Sequence, residues 1–138
     1  MVLKFLRIFC AFALLGASCF AGDKKCEEMV MDDPYDNMTW GDTCFYPLQT
    51  IAQAHADFRE SKMKESPDDP GYKNLRSKLE IGKKYKYGSL EKERVVIDYA
   101  WDDDKTLNVE MFYSGGITTV KFVQEDNGTR MSVIYSAD

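Results

Sequence analysis

The 138-residue chain is short of positive charge, of histidine and of long apolar runs, and each shortage removes a class of function. It carries 18 Lys and Arg against 23 Asp and Glu, a formal net charge of −5. That balance argues against a reader of nucleic acid, which needs a basic face to meet phosphates. His55 is the only histidine, and zinc sites built on paired Cys and His ligands need more than that. No apolar stretch approaches the roughly 20 residues that a membrane-spanning helix requires. A Gly-x-Ser-x-Gly elbow for a serine nucleophile and a Gly-rich loop for phosphate are both missing, and no internal repeat is visible.

What is there begins with a leader. Met1 to Arg7 holds two positive charges, Ile8 to Gly16 is almost wholly apolar, and Cys19-Phe20-Ala21 ends on a small residue. This order reads as a signal peptide over residues 1–21, cleaved after Ala21. Leu15-Gly16-Ala17-Ser18-Cys19 offers an alternative, a lipid anchor at Cys19, although the leucine of that pattern stands one place too far from the cysteine. Lys4 and Arg7 leave with the leader, so 16 of the 18 basic residues face 23 acidic ones and the mature charge is −7. The expected location is outside the cytoplasm, periplasmic or extracellular. Cys26 and Cys44 remain as an even pair, which in an exported chain reads as a disulfide.

Residues 22–138 are long enough for a single domain with a real core. Its N-terminal arm, 22–46, shows no sustained period around Pro34 and Gly41 and reads as irregular chain stapled by the disulfide. From Pro47 a helical stripe appears, with Leu48, Ile51, Ala52, His55 and Phe58. A second, shorter helix is expected after Ser66-Pro67-Asp68-Asp69-Pro70-Gly71, with Tyr72, Leu75 and Leu79 on one side and Gly82 as its stop.

The last third alternates with period two, giving four strands near 93–101, 105–113, 117–124 and 129–136, with Tyr85 and Tyr87 as a fifth edge strand. Asn127-Gly128 as a two-residue turn pairs Gln124 with Met131 and Phe122 with Val133. Gly115-Gly116 pairs Tyr113 with Thr118 and Met111 with Val120. A three-residue loop at Asp102-Asp103-Asp104, with Asp104 in the left-handed region, pairs Tyr99 with Leu107 and Ile97 with Val109. The core layer is then Val95, Ile97, Tyr99, Trp101, Leu107, Val109, Met111, Tyr113, Val120, Phe122, Met131, Val133 and Tyr135. The expected architecture is α+β, two N-terminal helices packed on one face of a four- or five-stranded antiparallel meander sheet. Val96, Phe112, Val123 and Ile134 fall on the opposite, mixed face.

No catalytic constellation emerges. The acidic clusters at Asp32, Asp33, Asp36, Asn37 and Asp42, and at Asp102 to Asp104, lack the alternating spacing of a calcium loop, so neither metal nor cofactor is expected. Small, acidic, exported and without chemistry of its own is the general profile of inhibitors and immunity proteins that act on basic secreted or envelope hydrolases and toxins. The expectation is therefore a binding protein for a basic protein partner, not an enzyme. An envelope structural or assembly factor is the alternative, and a small carboxylate hydrolase using His55 a third reading. Candidate contact residues are the aromatics Tyr35, Trp40 and Tyr46 of the arm, and Phe112 on the outer sheet face.

Overall fold

The computed structural model describes residues 23–30 and 38–137. The leader, Cys19 and Tyr35 lie outside the described residues. Among the described residues seven strands form one antiparallel sheet: β1 (Lys25–Glu28), β2 (Thr39–Pro47), β3 (Tyr85–Ser89), β4 (Val95–Asp103), β5 (Thr106–Tyr113), β6 (Gly116–Glu125) and β7 (Gly128–Ala137). Their spatial order is β1-β2-β7-β6-β5-β4-β3. One helix, α1 (Ile51–Glu65), and one 3-10 turn (Tyr72–Asn74) connect β2 to β3. Since β2 and β3 lie toward opposite edges, the connection crosses one whole face of the sheet.

This overturns the expected pair of helices on a four- or five-stranded sheet. Where it is described, the N-terminal arm is not irregular: β2 pairs along its whole length with β7, and β1 pairs with β2. Gly41, Asp42 and Thr43 interrupt the apolar alternation of β2 and hide it from a pattern search, whereas Cys44 and Tyr46 enter the core. Cys26 and Cys44 are register partners and form the disulfide, across a sequence separation of 18. Closing a loop of that size is worth about 3 kcal/mol by the chain-entropy estimate.

The second helix fails because tertiary bonds take its backbone. In a helix the Arg76 N–H would donate to the Tyr72 carbonyl. Here it donates to the Tyr99 hydroxyl at 3.0 Å, while the Leu75 carbonyl accepts from Arg59 Nε at 3.1 Å. A segment this short cannot outweigh such bonds by propensity alone. The first helix also starts later than its stripe. Pro47 ends β2, Leu48 turns the chain with φ +61°, and Thr50 caps the helix through a reciprocal pair with Gln53. Leu48 and Ala52 are consequently exposed, and Ile51, Ala54, His55 and Phe58 face the sheet. Gln124 Oε1 accepts from the Ile51 N–H, and Thr129 Oγ1 donates to the Gln49 carbonyl, so the start of α1 is tied to β6 and β7.

The four C-terminal strands and their core face stand as read, and every residue of the expected layer belongs to the core cluster or packs against it. Each hairpin register, however, is displaced by two. Phe122 pairs with Met131, Met111 with Thr118, and Tyr99 with Val109. The turns are Asp126-Asn127 and Ser114-Gly115, and each is followed by a glycine that already belongs to the next strand. Gly128 and Gly116 have φ +151° and +152°, and a Cβ there would collide with the Tyr46 and Ser136 carbonyl oxygens. In the first hairpin Asp103 pairs with Thr106, and a register shift between Trp101 and Asp103 restores the alternation. A bulge does the work assigned to a three-residue loop. Because all three displacements are even, no side chain changes face.

Candidate functional site

The sheet register sets Trp40, Tyr135 and Thr118 side by side on β2, β7 and β6, on the face that carries α1. Beyond the end of α1 the chain runs through Ser66-Pro67-Asp68-Asp69-Pro70-Gly71, where two prolines prevent helix continuation and bring Asp69 over the same corner. A cleft of about 390 Å³ opens between them, lined by Trp40, Asp69, Tyr72, Tyr113, Thr118 and Tyr135, with Gly115 and Gly116 at its rim. Trp40 is 51% exposed and stacks on Tyr135, with ring centres 5.6 Å apart and planes at 20°.

Asp69 is held in place by three donors to one oxygen. Its Oδ1 accepts from the Tyr113 hydroxyl (2.8 Å), the Gly71 N–H (2.8 Å) and the Tyr72 N–H (3.2 Å). The carboxylate is in no ion pair among the described residues. Burial, with the proximity of Tyr135, raises the Tyr72 pKa; burial and Asp69 raise that of Tyr113. Both phenols keep their protons. Behind them the Lys62 ammonium lies 5.8 Å from the Tyr72 ring centre and 6.0 Å from those of Phe58 and Tyr135. It pairs with Glu65 at 3.2 Å. Burial alone would lower the Lys62 pKa, but Tyr135 and Glu65 outweigh it and hold it above its ordinary value. A second depression, about 450 Å³, lies along the outer side of α1 between Arg59, Met63 and Ser77 and has no aromatic lining.

His55 is in a different setting. It is 2% exposed, edge-on to Tyr99 and tilted against Phe122. Tyr99 accepts from the Arg76 N–H, so its own proton is free to donate to His55 Nε2, 2.7 Å away. Burial, then the charge of Arg59, pushes the His55 pKa down to about 4. This is a neutral, sealed imidazole, which leaves a general base no route to substrate.

Of the residues singled out from sequence, Trp40 lines the cleft. Tyr46 is fully buried, its hydroxyl 3.9 Å from the Met131 sulfur, so it offers a partner no surface. Phe112 lies on the opposite sheet face, in register between Ile117 and Val96 and half-buried, and the sheet separates it from Trp40. Asp69, Tyr72, Tyr113 and Tyr135 were not singled out as site residues. Alternation correctly put Tyr113 and Tyr135 on the core side, but both stand at strand ends where that layer opens to solvent. The remaining signal was a carboxylate fixed between two prolines.

Among the described residues no group of three or more His, Cys, Asp or Glu gathers as for a metal ion, and no helix is long and apolar enough to cross a membrane. The disulfide fits an oxidising compartment. Compared with protein-family models, with curated proteins and with solved structures, the chain matches none.

Proposed function

We propose that this is an exported acidic binding protein, of the inhibitor or immunity type, that engages a basic secreted or envelope protein outside the cytoplasm and catalyses nothing itself. The observation that carries the reading is the cleft, where a half-exposed tryptophan stands beside a carboxylate that has no cationic partner among the described residues. Exposed Trp next to a fixed polar group is the composition of an interaction anchor. The sealed His55 supports a binding role over the hydrolase alternative. Further acids lie at the other end of the sheet, where Asp102 and Asp103 end β4 and Asp104 and Asp126 lie in the β4–β5 and β6–β7 turns, all four exposed. They add long-range attraction for a cationic partner.

The test is to recover partners of the exported, oxidised protein from envelope and secreted fractions at low and moderate salt, then titrate each recovered protein's activity with it. A basic hydrolase or toxin that is released by salt and silenced at equal stoichiometry is the expected result. Recovery of only membrane-assembly proteins, or of nothing, overturns the reading.

A further inference from the structure

We propose, resting on the binding role above, that the Trp40–Asp69 cleft is a receptor for one arginine side chain presented by the basic partner. Three observations converge on a guanidinium. First, Tyr135 covers one side of the Trp40 ring and half of the residue stays exposed, which leaves indole surface for a flat cation. A guanidinium over an indole gains both cation–π attraction and stacking. Second, the Asp69 carboxylate is oriented through Oδ1 alone, so Oδ2 is left by those three donors for an N–H of the guest. A charged acceptor already fixed by the fold costs little to organise on binding, and a charge-assisted bond is the strong kind.

Third, the charges around the cleft balance in favour of a cation. Lys62 and Glu65 pair at 3.2 Å, and Asp69 is the one charged side chain among the described residues that line the cleft. The Lys62 ammonium already lies 5.8 Å and 6.0 Å from the Tyr72 and Tyr135 ring centres. The guest is therefore placed on the exposed Trp40 side. Arginine fits better than lysine because Ser66 and Thr118, in the remaining lining, add oxygen acceptors around the cleft. Five guanidinium N–H groups in a plane can use them; a single ammonium cannot reach as many.

The test uses the full exported protein, labelled with nitrogen-15, and two neutral-backbone probes, N-acetyl-arginine amide and N-acetyl-citrulline amide. Citrulline keeps the planar shape and loses the charge. At low salt the arginine probe should shift the Trp40 indole N–H and the Gly115 and Gly116 amides, with affinity at least about tenfold above that of citrulline. Asp69→Asn keeps the Oδ1 acceptor that the fold uses and removes only the charge; it and Trp40→Leu should each weaken the arginine probe by about tenfold or more. Equal response to both probes, or shifts centred on Asp102 to Asp104 instead, overturns the assignment. The two levels separate cleanly. If Asp69→Asn and Trp40→Leu capture the basic partner as well as the parent protein does, the binding role stands and the arginine receptor falls. If the parent protein discriminates arginine from citrulline at the cleft but silences no basic protein, the receptor stands and the inhibitor role falls.

Discussion

Tyr99 and Tyr113 sit on neighbouring strands, point to the same face, and each reaches up to the segment that follows α1, yet the two hydroxyls have opposite surroundings. Tyr99 joins the half-buried Arg76 amide to the buried His55, and all three groups are neutral or backbone. Tyr113 joins that segment at Asp69, a charged group at the mouth of a cleft. One linker is thus fixed at two points. The inner point contributes stability because Tyr99 and His55 are buried away from solvent. The outer point holds a carboxylate in place, and its partners can be solvated if it breaks.

The largest way to break this contrast is Tyr99→Phe. It leaves the buried His55 Nε2 without its donor, at about 1–3 kcal/mol, and the half-buried Arg76 N–H without its acceptor, at about 1 kcal/mol, which denaturant titration should read as a loss of roughly 2–4 kcal/mol. Acid comes next. His55 is neutral when folded and has its pKa pushed down to about 4 from 6.5, so between those values the unfolded chain binds a proton that the folded chain does not. Stability therefore falls as the pH drops from about 6.5 towards 4, by about 3 kcal/mol in all. His55→Gln should flatten that slope. Glu93, held below its ordinary value by hydrogen bonds from Ser89, adds its own loss only further down. Tyr113→Phe should cost only about 1 kcal/mol, because Asp69 keeps its two amide donors. Asp69→Asn should change stability by less than about 0.5 kcal/mol while weakening the cationic probe. If Tyr113→Phe proves as costly as Tyr99→Phe, the division into a stabilising point and a recognition point fails.

The same contrast explains what could be read in the sequence. The period-two alternation of β4 to β7 was legible because each inward residue is apolar and each meets an apolar partner, and the inward face withstands even a two-residue error of register. The registers themselves were not legible, since Gly116 and Gly128 serve a backbone collision with the adjacent strand instead of the turn. The spacing of Tyr72, Leu75 and Leu79 ahead of Gly82 suggested a helix, but the Tyr99 and Arg59 side chains, remote in sequence, decide the backbone there. Of the cleft, only Trp40 could be named, and the same search named Tyr46, which alternation within β2 places in the core. Asp69, Tyr113 and Tyr135 meet only after the chain has crossed the sheet. A site assembled from four separate stretches leaves no local motif.

The position of β2 also constrains when the molecule can form. Thr43 lies against Ser132, 89 residues later, and the whole of β2 has β7 as its inner neighbour. Contacts of such long range form late, after the entropy of closing the loop has been overcome. Until β7 has been synthesised, β2 has no place in the sheet, and the Trp40–Tyr135 stack and the cleft do not exist.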